Sequence, residues 1–170
     1  MTLDTLNALS AADFVAALAG IYEHSPWVAE RVVGQRPFAT LEALASAMSL
    51  AVADSDPGTK MALIRAHPQL AGKAAVAGQL TAASAGEQRG AGLDRCSPEE
   101  FARITQLNDA YQARFGFPFI IAVKGQTRAG IIAAMQRRLH NDRDVEHDEA
   151  LRQIDTIARF RLQALAVDAV

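Results

Sequence analysis

The chain has 170 residues and a formal net charge of −2, with 50% hydrophobic and 21% charged residues. That length suits one domain with one sizeable core, and the charge argues against a nucleic-acid surface, which needs clustered excess Lys and Arg. No apolar run reaches the ~20 residues that span a bilayer, Cys96 is the lone cysteine, and Met1 to Asp4 are not a basic segment leading into an apolar run. The expectation is a soluble, cytoplasmic protein without disulfides, nucleic acid or membrane as a partner.

In chain order, Ser10 reads as an N-cap, and Phe14, Leu18 and Ile21 are spaced for one buried face. This helix is expected to stop near Ser25-Pro26, and a second runs from about Trp27 to Val33. Thr40 caps a third, with Leu41, Leu44, Met48 and Val52 inward. Asp54 to Gly58 is a break, and a short helix from Thr59 to Ala66 meets His67-Pro68. Residues 71–96 are rich in Ala, Gly and Ser, as linkers are, but their alanine content with Leu80 and Leu93 favours short helices. Ser97-Pro98-Glu99-Glu100 combines a capping Ser, Pro at the first helical position and Glu at the third. The helix it opens places Phe101, Ile104, Leu107, Asn108, Tyr111 and Phe115 on one side. Thr127 caps the next, with Ile131, Met135 and Leu139. After an interruption at Asn141 to Asp144, a last helix runs from about Val145 to Ala166 with Leu151, Ile154, Ala158, Leu162 and Leu165 as its stripe. No set of alternating strands, repeat or internal boundary appears. The pattern predicts an all-α, single-domain bundle over residues 1–170, with about seven or eight helices.

One stretch departs from helix. Residues 116–123 join Gly116, which tolerates unusual backbone angles, to Pro118, which lacks an N–H and disfavours helix at Phe117. Phe101, Phe115, Phe117 and Phe119, four of the seven phenylalanines, lie in or beside it. An apolar, irregular segment must be buried, and its backbone N–H and C=O groups then need partners. A bound polar ligand is one source of them.

Three further features can carry chemistry. His67 is held out of helix by Pro68 and exchanges a proton near neutral pH; it also suits a helix C-terminus as a plain structural histidine. Ser84-Ala85-Gly86-Glu87-Gln88 contains a carboxylate that can orient a histidine or take a proton, but Ser-x-x-Glu is equally a capping box. Arg161, beside the apolar stripe of the last helix, can bind a carboxylate through paired hydrogen bonds or extend along its stem to solvent. The run from His140 to Glu149 invites a metal reading that fails, because it lacks the glycine of a calcium loop and zincin histidine spacing. Phosphate-loop, dinucleotide and nucleophile-elbow motifs are absent.

Three segments in this order carry a resemblance: Arg65-Ala66-His67-Pro68-Gln69-Leu70-Ala71-Gly72-Lys73, then Ser84-x-x-Glu87-Gln88, then Asn108-x-x-Tyr111-x-x-Arg114-Phe115-Gly116-Phe117-Pro118-Phe119-Ile120. Together with Ile154-x-x-Ile157-Ala158-x-x-Arg161-Leu162, the chain resembles the OHCU decarboxylase family, whose full name is 2-oxo-4-hydroxy-4-carboxy-5-ureidoimidazoline decarboxylase. The resemblance implies an all-helical homodimer that uses no cofactor, acts on a small ureide in urate breakdown and forms (S)-allantoin. It implies His67 as catalytic acid/base. It also implies a substrate site lined by Pro68, by Ser84, Ala85, Gly86, Glu87 and Gln88, and by Phe119, Ile120, Ile121, Ala122 and Val123, with Arg161 nearby. Glu87 is then expected to orient His67 or bind the substrate hydroxyl. A helical binding module, or an enzyme of a related ureide, is the alternative.

Overall fold

Short polar side chains placed one residue ahead of apolar runs set where the helices begin. Ser10, Thr40, Ser97 and Thr127 each accept the backbone N–H three residues on, at 3.0–3.1 Å, supplying a partner that the first helical turn lacks. At Ser97 the box is complete, because Glu100 accepts the Ser97 N–H in return at 2.9 Å.

The computed structural model describes residues 1–167, so the end of the predicted 1–170 domain, residues 168–170, lies outside the described residues. Among them are ten α-helices and no strand: α1 (Leu3–Ala8), α2 (Ala11–Leu18), α3 (Trp27–Val32), α4 (Leu41–Ala53), α5 (Pro57–Ala66), α6 (Lys73–Val76), α7 (Ala82–Gly90), α8 (Pro98–Phe115), α9 (Arg128–Arg138) and α10 (Arg143–Val167). The all-α class is as predicted. The count is higher because α1 and α6, of six and four residues, are too short for a periodic pattern. The chain divides into two compact units, Met1–Ala66 with Asp155–Val170, and His67–Ile154; α10 contributes to each.

In the first unit Phe14, Leu18, Val28, Val32, Leu44, Met48, Leu63, Ile64 and Leu162 are buried. Phe14 and Phe38 stack at 6.4 Å, and Asn7 pairs with both backbone groups of Phe38 at 2.9 Å each. The expected first helix, from Ser10 to near Ser25, is corrected: the helix that Ser10 caps, α2, ends at Leu18, and the chain turns through 19–26 with His24 at φ +48°. Ile21 is buried all the same, which is why the apolar spacing imitated a longer helix.

In the second unit α8 supplies the central face, with Ile104, Leu107, Asn108, Tyr111 and Phe115 buried. Phe101, predicted inward, is 39% exposed in the first turn of this helix. α8 stops at Gly116, whose φ of +78° is a left-handed cap that a Cβ would strain. Residues 117–123 form neither helix nor strand, as the proline-bounded sequence predicts.

Candidate active site

His67 follows the last residue of α5, and Pro68 prevents that helix from continuing. The imidazole-bearing residue is buried, at 7% exposure, as are Leu70 and Ala71. Two side chains from different helices hold the loop that follows. Gln88 on α7 accepts the Ala71 N–H through Oε1 at 2.9 Å and donates from Nε2 to the Gln69 carbonyl at 3.3 Å. Asn108 on α8 donates from Nδ2 to the Leu70 carbonyl at 2.9 Å. The backbone of three consecutive residues is thereby fixed, and Ala71 is held at φ +47°, where an L-residue with a Cβ is uncommon.

The helix carrying the second predicted segment starts earlier than a Ser84 cap would require. Thr81 is the N-cap of α7, accepting the Ser84 N–H at 3.3 Å. Ser84 is therefore a third-position residue inside the helix, and Ser84 and Glu87 do not form a capping box. Ser84 and Gln88, four apart on one face, are both buried. Glu87 and Ala85 are half-buried and Gly86 is exposed.

The aromatic strip is fixed from three further elements. Phe117, Phe119, Ile120, Ala122 and Val123 are all buried, and Ile121 is half-buried. Tyr111 of α8 packs edge-on against Phe117 and Phe119, with centroids 5.9 and 5.3 Å apart. Arg138 at the end of α9 donates through Nη1 to the Ile120 carbonyl at 2.7 Å and lies 4.4 Å from the Phe119 ring. Gln153 of α10 accepts the Ala122 N–H at 2.8 Å, and the Val123 carbonyl accepts the Gln126 N–H at 2.9 Å. The protein itself thus supplies part of the hydrogen bonding that the strip needs. Among the described residues the N–H groups of Ile120, Ile121 and Val123 have no protein acceptor.

Beneath the strip lies a buried charged network. Glu146, fully buried, receives Arg138 Nε at 3.0 Å and Nη2 at 2.9 Å, Asn141 Nδ2 at 2.8 Å and a short hydrogen bond from the Tyr111 hydroxyl. Burial, reinforced by this carboxylate, pushes the Tyr111 hydroxyl far above its ordinary range, so it remains a donor. Asn141 and Glu146 come from the acidic run whose metal reading failed on sequence; here Glu146 pairs with Arg138 and Asn141 donates to Glu146. Among the described residues no group of three or more His, Cys, Asp or Glu is placed to hold a metal ion.

Of the predicted residues, His67, Pro68, Ser84 to Gln88 and Phe119 to Val123 all belong to the second unit. The Gln88 contacts join the first two groups, and α8 links them to the third through Asn108 on the loop and Tyr111 on the strip. Arg161 belongs to the first unit, where it is buried and donates through Nη1 to Glu23 Oε2 at 2.8 Å and the Gly20 carbonyl at 3.0 Å. It does not extend to solvent. Sequence reasoning assigned no role to Asn108, Arg138, Glu146 or Gln153. Asn108 carried a signal, a polar residue on an apolar helical face; the other three act on partners in other elements, which spacing does not reveal.

A buried histidine on a clamped loop, a carboxylate-bearing helix tied to that loop and a strip presenting backbone N–H groups suit proton transfer on a small polar ring. Comparison with known proteins narrows this. The family model described as OHCU decarboxylase matches residues 7–163. The chain belongs to the OHCU decarboxylase family. It is 43% identical over 162 residues to the 2-oxo-4-hydroxy-4-carboxy-5-ureidoimidazoline decarboxylase of Haloferax volcanii, covering 95% of this chain and 94% of that protein. It is 38% identical over 167 residues to the protein of the same name from Halalkalicoccus jeotgali, covering 98% and 93%. Among solved structures, a crystal structure of (S)-allantoin synthase superposes with a TM-score of 0.80 at 31% identity, covering 97% of this chain and 54% of that one.

Proposed function

We propose that this chain decarboxylates 2-oxo-4-hydroxy-4-carboxy-5-ureidoimidazoline to (S)-allantoin, a step of urate breakdown, without a cofactor. The observation that carries the reading is a family match along nearly the whole chain in which His67 is a buried residue of a loop held by two helices.

The chemistry follows from the substrate. When the bond from the ring carbon to CO2 breaks, its electron pair moves toward the neighbouring carbon while the C=N pair shifts to nitrogen, which takes a proton. Loss of the hydroxyl proton then forms the ring carbonyl, and a proton delivered to one face of the neighbouring carbon sets the S configuration. The substrate's own C=N is the electron sink. The enzyme's work is to hold the carboxylate out of the ring plane and to move protons. His67 performs the proton transfer and Glu87 orients it or binds the hydroxyl, help that is typically worth ~10²–10⁴-fold. Pro68, Ser84, Ala85, Gly86 and Gln88 line one side. The backbone of Phe119, Ile120, Ile121, Ala122 and Val123 lines the other, and the N–H groups of Ile120, Ile121 and Val123 take ureide carbonyls. The proposal extends to a homodimer, which the resemblance implies and sedimentation of the purified protein tests, and to a cytoplasmic location, which cell fractionation tests.

The decisive experiment replaces His67 with Asn and follows freshly generated substrate by absorbance and circular dichroism. The expected result is a loss of roughly 10²-fold or more in kcat with folding intact; unchanged turnover rules out the histidine's role. Glu87→Gln is expected to lower kcat more than it weakens binding of (S)-allantoin.

A further inference from the structure

Asn108 is 4% exposed, and among the described residues its Oδ1 has no hydrogen-bond donor. The orientation of this amide is fixed chemically. Its other end donates to the Leu70 carbonyl at 2.9 Å, and a carbonyl only accepts, so the nitrogen must face Leu70 and the oxygen must face away. Buried polar atoms without partners are rare and costly, and each one calls for a reason.

The position of Asn108 supplies one. It grips the loop three residues after His67. One turn along the same face of α8, Tyr111 packs edge-on against Phe119. Asn108 therefore stands where the His67 loop and the aromatic strip are both anchored to one helix, within one compact unit. The strip offers N–H donors at Ile120, Ile121 and Val123. A ureide carries carbonyls that suit those donors, but it also carries N–H groups, and these need an acceptor.

We propose that Asn108 Oδ1 is a further substrate-binding group, accepting an N–H of the ureido or ring amide and selecting ligands that carry a donor there. The inference rests on the ureide reading above and extends it to a residue with a defined polarity. Asn108 has two separate jobs, one per end of its amide: the nitrogen positions the His67 loop and the oxygen reads the ligand.

The two jobs separate experimentally. Binding of (S)-allantoin is measured by calorimetry against analogues in which one N–H at a time is replaced by CH2, for the native chain and for Asn108→Leu. Leu keeps the branching of Asn, so steric selection is retained. Loss of the Leu70 contact weakens all ligands alike, and only the ratio between ligands reports the oxygen. The native chain is expected to prefer allantoin over one analogue by about tenfold or more, and Asn108→Leu to reduce that ratio to about twofold or less. Equal ratios in the two proteins overturn the inference. If Asn108→Leu does not fold, a crystal structure of the native chain with (S)-allantoin decides. A ligand N–H within about 3.2 Å of Oδ1 supports the proposal, whereas a water, a protein donor or the ligand's non-nitrogen atoms there overturns it. Native protein that turns over substrate but shows no such preference refutes this inference alone; native protein with neither turnover nor allantoin binding refutes the ureide reading as well.

Discussion

The guanidinium of Arg138 donates at 2.7 Å to the carbonyl of Ile120, eighteen residues earlier in the chain, while its other nitrogens are committed to buried Glu146. The strip of the candidate site is therefore located by the end of α9 rather than by its own sequence. Arg suits this position because its planar fork serves two acceptors in different directions at once.

Arg138→Lys tests that dependence. A lysine ammonium is a point charge that cannot span Ile120 and Glu146 with the same geometry. The variant is expected to lose about 1–3 kcal/mol of stability and about tenfold in kcat, since misplacement of a site wall is costly to rate. Urea denaturation and steady-state decarboxylation check the two parts, and a stable variant with native kcat contradicts the account.

Glu146→Gln is expected to be worse for stability. It leaves Arg138 buried without its counter-charge, a loss of about 3–5 kcal/mol. Replacing both together, Arg138→Met with Glu146→Leu, is expected to cost less than the sum of the single losses, because no uncompensated charge remains. A double-mutant cycle on unfolding free energies measures the coupling.

Ala71, at φ +47° and held by Gln88, tests the loop that carries His67. Ala71→Val places a β-branched side chain in a left-handed conformation and is expected to destabilise by about 2 kcal/mol or more and to lower turnover. Ala71→Gly is expected to stay within about 1 kcal/mol of the native chain, because relief of strain is offset by the lost methyl group and a freer unfolded chain. Thermal unfolding of the pair gives the comparison.

The cap of α8 predicts an acid dependence. The Ser97 N–H, then Arg128, holds the Glu100 carboxyl below its ordinary value of 4.5. The folded state therefore binds this proton less tightly than the unfolded state does. The contribution of Glu100 is complete above 4.5 and is lost as the pH falls through the lower folded value. Glu100→Gln keeps the capping geometry but removes the titration. The drop in Tm between pH 7 and pH 3 is expected to be smaller in that variant than in the native chain; an equal drop contradicts the assignment.

The sequence by itself determined the class and most helix starts, because capping and apolar period are local properties. Ser10, Thr40, Ser97 and Thr127 each cap the helix they announce, and Gly116 with Pro118 ends helix before the strip. The family was legible in ordered motifs that span the chain. Local pattern failed where tertiary burial imitated a period, as at Ile21 beyond the end of α2, and where Thr81 lay hidden ahead of the more conspicuous Ser84. Only the tertiary structure decided what holds the site. Gln88 reaches back to Gln69 and Ala71, Asn108 to Leu70, Arg138 to Ile120 and Gln153 to Ala122. Each of these side chains bonds backbone at least seventeen residues away, and such a bond leaves no periodic trace, because its partner is set by how helices pack and not by what stands next in the chain.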